Sequence, residues 1–386
     1  MHSDSGATIP VCQDWTRKIP RQPDGEAFVL HCTGGLRAIE HEKKSWHIEP
    51  VFDDKAPSAK GFMSKETLNS FLNQNNYSAI AFQSINWSKG KYHSRWSPII
   101  SGQSNHFQSP ADLWGNIASN LSKARISDHY EKAASTNLDE IAAVLDSTGE
   151  IERFARSISL SLRNMDISIE QIVAFYNDQL IHLMASGHIR GERSSTSSDQ
   201  TLFAHVNSFF MHFGAARDYL ASLIAERMYP IIAKRLNKSP KIDSLGKLVG
   251  NLHPSDVNRD NLIRMLHSKT YIAQNPENEE KFMTSGWLAN ATSLRNTFTH
   301  HRPFGDRFVE QSGYAQVIDE NSGLYQYHRP LVSDDGEADA LSVIAHHYQK
   351  TVALFFNAAF ESGYDTNLLK LTDNDIISKS NRTSKV

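Results

Sequence analysis

The sequence predicts a mainly α protein: a smaller α+β region at the amino end (residues 1–108), a helical middle region (109–193), a helical carboxy-terminal domain with an inserted β-hairpin (200–371), and a polar tail (372–386). Three observations carry this. Short apolar runs bounded by glycine and asparagine occupy the first hundred positions and then stop. From Ser109 onward apolar residues recur at three and four spacing, the period of a helix with one buried face. Past residue 310 an alternating pattern returns briefly around a turn signal before the last helical stretch.

Taken in order, Glu26 to Cys32 and Tyr77 to Phe82 read as strands, the first stopped at Gly34-Gly35 and the second preceded by the asparagine-rich Asn73 to Asn76. Ser64 opens a short capped helix running to Leu72. At Ser109-Pro110-Ala111-Asp112 a hydroxyl cap, a proline in the first turn and an acid against the helix dipole mark a strong helix start. Separate helices are expected at Leu138 to Leu145, Ile151 to Leu162 and Ile167 to Met184. Gly191 to Gln200, with its run of serine and threonine, reads as a linker and the place of a domain boundary. The longest amphipathic stripe follows, Val206, Phe209, Phe210, Phe213, Leu220, Ile224 and Ile231, with Pro230 expected to kink or end it. A helix is marked at Asp260 to Leu266 and another from Thr284 or Ser285, closed by Pro303 because the residue before proline avoids helical geometry. Tyr314 to Ile318, the turn Glu320-Asn321-Ser322-Gly323, and Leu324 to Val332 read as the hairpin. The final helix is expected from Ala338 to Phe360.

Composition narrows the function classes. At 386 residues the chain exceeds the usual size of a single core, so two or three domains are expected. Apolar residues at 39% and charged residues at 22% fit a soluble globular protein. The first fifteen residues lack both a basic start and an apolar run, and no stretch approaches the length that spans a bilayer, so a cytoplasmic protein without a membrane partner is expected. Cys12 and Cys32 are the only cysteines, which excludes a disulfide framework or a cysteine zinc site. A net charge of −3 argues against broad coating of nucleic acid, so any contact with RNA or DNA must be local.

The densest chemistry lies in Leu294-Arg295-Asn296-Thr297-Phe298-Thr299-His300-His301-Arg302-Pro303. Arginine offers a permanently charged fork for phosphate oxygens, and histidine gives and takes protons near neutrality. On a helix, Trp287, Ala291, Leu294, Phe298 and His301 share one stripe, while Arg295, Asn296, Thr299 and His300 share the opposite side. That phase favours His300 over His301 as the reactive imidazole and makes His301 a core histidine. The stretch Arg295-Asn296-x-x-x-His300 resembles the R-x(4–6)-H signature of HEPN-domain proteins, in which asparagine often follows the arginine.

The resemblance covers residues 200 to 371 and implies a HEPN-like helical bundle. It further implies a metal-independent endoribonuclease acting in a toxin or antiviral defence role, with the sites of two protomers meeting in a homodimer. RNA is the implied substrate, attacked by its own 2'-hydroxyl, with His300 in proton transfer and Arg295 countering the charge on phosphate. An inhibitor or antitoxin protein is an implied partner, and no cofactor is. The alternative is a non-catalytic HEPN-like module binding RNA, nucleotide or a protein. Where toxin relatives carry a tyrosine two positions beyond the histidine, this chain has Arg302, which disfavours an antitoxin that modifies such a tyrosine.

Other residues carry weaker signals. Arg217 interrupts the apolar stripe and needs a partner, either a substrate phosphate in a supporting role or a carboxylate of the bundle. Lys89, Lys91, Arg95 and Trp96 interleave cations with an aromatic, which suits stacking on unpaired bases and equally suits a hairpin with a buried tryptophan. His346-His347 lacks HExxH spacing, and adjacent residues diverge by 100° on a helix, so no metal site is expected.

Overall fold

The computed structural model describes residues 26–41, 45–53, 56–88, 91–100, 108–132, 143–237, 240–319, 323–333 and 336–370. Cys12, Lys89, the polar tail and most of the helix expected over Leu138 to Leu145 lie outside them.

The amino-terminal region is one antiparallel sheet of six strands. In chain order these are β1 (Glu26–Cys32), β2 (Arg37–His41), β3 (Ser45–Asp53), β4 (Ala56–Met63), β5 (Ala79–Ser88) and β6 (Lys91–Pro98), arranged β4-β3-β2-β1-β5-β6. Helix α1 (Lys65–Gln74) carries the chain from the β4 edge back to β5, capped by the Ser64 hydroxyl accepting from the Thr67 amide at 3.3 Å. The glycines expected to stop β1 have a sharper task. Gly35 sits at φ +84°, and a Cβ there would stand 2.7 Å from the Tyr176 carbonyl oxygen of the helix beneath, so only glycine permits this approach. Asn177 secures the contact by donating to the Gly35 carbonyl at 2.7 Å.

That helix, α3 (Glu150–Ser186), follows α2 (Pro110–Lys132) and is continuous where two were expected. No glycine or proline interrupts it, and it stops where Gly187 turns left-handed at φ +76°. Helix α4 (Asp199–Leu236) packs against it and continues past Pro230, so of the kink or end expected there the end does not occur. Pro230 lies in its last two turns, and the carbonyl four residues earlier belongs to exposed Glu226, where water can take the lost hydrogen bond.

Past α4 come α5 (Leu245–Asn251), α6 (Asn261–Ser268), a hairpin of β7 (Ile272–Asn275) and β8 (Asn278–Thr284) that the pattern did not announce, and α7 (Gly286–Asn296). The expected hairpin is present as β9 (Tyr314–Asp319) and β10 (Leu324–His328), but its second strand ends early. Arg329 turns inward with no exposed surface, and the chain starts a second hairpin, β11 (Pro330–Ser333) with β12 (Gly336–Asp339), before α8 (Ala340–Glu361).

The boundary expected at 193–200 does not separate two cores. Buried side chains from the sheet and from α1 to α8 form one continuous cluster, and Val29, Ile39 and Ile85 form a small separate one. The serine-rich stretch is tied down: Ser194 and Gly313 exchange backbone hydrogen bonds, and Arg193 donates to the Val309 carbonyl at 3.1 Å. Buried Asp199 pairs with Arg329 at 3.3 Å. Polar residues there serve caps and pairs rather than a solvated linker.

Candidate functional site

Helix α7 crosses α4 and buries Leu288 and Ala291 against the core. After Asn296 the winding loosens into one π turn, Thr297–His301, closed by the Arg302 amide donating to the Thr297 carbonyl five residues back at 2.7 Å. A single π turn inside a helix often marks a functional position, because the extra residue redirects side chains. Phe298 stays buried. His301, expected in the core, is exposed, because the added residue rotates it off the apolar stripe.

The same turn brings His300 back over Arg295. The Arg295 guanidinium Nη1 lies 3.1 Å from His300 Nε2 and 3.1 Å from Asn296 Oδ1. Guanidinium has donors only, so Nε2 must accept, and the imidazole in this arrangement is neutral with its proton on Nδ1. Arg295, Asn296 and His300 thus form one connected trio. Among the described residues no carboxylate pairs with Arg295, so its charge is free to meet an anion.

Arg295 is not the outward-facing residue that a plain helical wheel gives. Its stem lies in a notch over Gly214 of α4, where a Cβ would come within 3.4 Å of Cγ and Cδ and 2.7 Å of Nε. Nε is buried there without a hydrogen-bond partner, which leaves the terminal nitrogens as the working end. Gly214 is the residue that sequence reasoning missed. A glycine inside an apolar helical stripe costs about 1 kcal/mol relative to alanine, so it signals a close approach.

Arg217, one turn along α4, is buried at 6% exposure and fully engaged. Its Nε and Nη2 donate to Asp218 Oδ1 at 3.1 and 3.0 Å, and Nη1 donates to the Thr292 hydroxyl of α7 at 2.8 Å. It therefore clamps α7 onto α4, three residues before Arg295, and the supporting role at a phosphate is corrected to this structural one.

The amino-terminal cations and tryptophan do not join the trio. Arg95 on β6 pairs with Asp112 at 3.0 Å. Trp96 is half-buried against His31, with ring centres 5.1 Å apart, and its indole N–H donates to the Tyr348 hydroxyl at 2.9 Å. With its face packed and its donor spent, Trp96 is a core contact and not a stacking platform. Lys91 lies in β6, and Lys89 is outside the described residues.

The tryptophan belongs to a polar seam that no motif announced. Tyr348 donates onward to Asp166 Oδ1 at 2.5 Å, and Gln83 donates to Glu170 at 2.9 Å. Burial pushes the Asp166 carboxyl up to about 7, against the opposing pull of the Tyr348 hydrogen bond. His31 is held neutral, lowered to about 4 by burial. The seam joins the sheet to α3 and α8. Among the described residues no cluster of three metal-ligating side chains occurs, and no helix is long and apolar enough to cross a membrane.

Compared with protein-family models, characterised proteins and solved structures, the chain matches none. The chemistry of the trio therefore rests on its own geometry.

Proposed function

We propose that the chain is a metal-independent endoribonuclease of the HEPN type, with Arg295, Asn296 and His300 as its site. The observation that supports it most is the 3.1 Å contact between the Arg295 guanidinium and His300 Nε2 at the exposed end of α7. A cation that pairs with no acid among the described residues stands beside a neutral imidazole whose lone pair it holds. An RNA phosphate drawing the guanidinium to its oxygens releases that lone pair, and His300 accepts the proton of the adjacent 2'-hydroxyl as it attacks phosphorus. The protonated His300 then gives that proton to the departing 5'-oxygen, leaving a 2',3'-cyclic phosphate and a free 5'-hydroxyl. Asn296 holds the guanidinium in register. In this reading a second copy of the chain completes the site, and the setting is a toxin or antiviral defence system restrained by an inhibitor protein.

The test is incubation of pure protein with RNA in EDTA, beside Arg295→Ala and His300→Ala. Cleavage ending in cyclic phosphate is expected from the native chain, falling by roughly 10²-fold or more in each variant. Cleavage unchanged in both variants overturns the assignment. Binding of RNA without cleavage supports the non-catalytic module instead. A strict monomer by mass that still cleaves removes the shared site.

A further inference from the structure

A hollow of about 400 Å³ opens between α7, the β11–β12 hairpin and the start of α8. Its size falls at the lower end of small-molecule sites, which run from about 300 to 1,000 Å³. Trp287, Leu294 and Val343 supply apolar wall, and the Trp287 ring is braced by Phe213 and Tyr271 at centroid distances of 6.2 and 5.7 Å. The polar groups are distinctive. His347 lines the hollow at 6% exposure with its Nδ1 buried and without a hydrogen-bond partner. Burial and the neighbouring His346 hold that imidazole neutral, lowered to about 4.

Two charges of opposite sign line the same hollow. Arg307 is half-buried and Glu337 is exposed, and among the described residues neither forms an ion pair, with each other or with anything else. A simple anion satisfies Arg307 and is repelled by Glu337; a simple cation has the reverse problem. A neutral apolar molecule covers both charges and matches neither. The occupant that satisfies the walls and both charges is flat, partly apolar and doubly charged.

We propose that this hollow binds a small aromatic zwitterion, of which a free aromatic α-amino acid is the simplest member. Its anionic group meets Arg307, its ammonium meets Glu337, and its ring lies against Trp287 and Leu294 beside His347. The site stands independently of the nuclease reading, because its readout is binding and not cleavage.

The test titrates the full chain calorimetrically with L-tryptophan, L-phenylalanine and L-tyrosine. Tryptophanamide, which lacks the carboxylate, N-acetyltryptophan, which lacks the ammonium, and AMP, an aromatic anion without an aliphatic ammonium, are run beside them. Saturable binding of at least one amino acid is expected, weakened about tenfold or more in the amide, in the acetyl derivative, in Arg307→Gln and in Glu337→Gln. Among the described residues neither variant removes an ion pair, so both are expected to retain the native melting temperature. Absence of saturable heat with all three amino acids into the millimolar range overturns the proposal, as does binding indifferent to both substitutions. AMP binding more tightly than the amino acids replaces the zwitterion with a nucleotide and overturns the assignment.

Discussion

Gly214→Ala separates the chemistry of the trio from the stability of the fold. The added methyl would stand 2.7 Å from Arg295 Nε, and ordinary contact at 3.4 Å or beyond requires a shift of about 0.7 Å or more. The moving atom belongs to the flexible end of an arginine, so the fold gives way cheaply there. Alanine also gains about 1 kcal/mol over glycine in a helix interior. The net change in stability is expected within about 1 kcal/mol of zero. The guanidinium has less freedom. Its contact with His300 Nε2 is already 3.1 Å, so a displacement of that size breaks the hydrogen bond or reorients it. A misplacement near 1 Å costs on the order of 10²-fold in rate. Long-range proton–nitrogen NMR of the His300 ring reads the contact whether or not RNA is cut: the native chain shows Nδ1–H with Nε2 accepting, and the variant shows a tautomer mixture. Cleavage in EDTA then reports the rate, and thermal melting the stability. Native tautomer and native cleavage in the variant would refute the notch argument, and a fall of several kcal/mol in stability would show that Gly214 serves packing instead.

Two further outcomes follow from the buried charges. Asp166 is raised above its ordinary value of 3.8, so between about pH 4 and 7 the folded chain holds a proton the unfolded chain has lost. Its contribution to stability therefore declines as pH rises through that window, by up to about 4 kcal/mol, and levels off above it. Asp166→Asn is expected to flatten that part of the pH dependence in urea titrations at pH 5 and pH 8; an unchanged slope contradicts the burial argument. Arg329→Met leaves Asp199, only 4% exposed, without its cation, and removes the donor to the Glu310 carbonyl at 2.7 Å. A loss of about 3–5 kcal/mol is expected from chemical denaturation, and restored stability in the double variant with Asp199→Asn confirms that the stranded charge is the cause.

Much of the architecture was legible because it depends on periodicity and caps. Ser109-Pro110-Ala111-Asp112 starts α2 as its chemistry requires, and the phenylalanine-rich stripe of α4 is buried as its spacing demands. Where the expectations failed, the deciding fact was in several cases distant in sequence. Pro230 does not end α4, and Glu226 four residues before it is exposed; the serine-rich stretch is no linker because Gly313 and Arg329 hold it. Trp96 reads like a base platform until Tyr348 and His31, more than sixty positions away on either side, claim its edge and face.

The sequence by itself determined that Arg295, Asn296 and His300 stand within one and a half turns on a helix closed by Pro303, since local spacing and proline chemistry suffice for that. Only the tertiary structure decided how they meet. The π turn that swings His300 onto Arg295 and turns His301 out has no periodicity to announce it, and the notch at Gly214 exists because α4 crosses α7 there. Arg217 became a clamp for the same reason: its partner Thr292 lies 75 positions away, and contacts of that separation are set by packing, which no local pattern encodes.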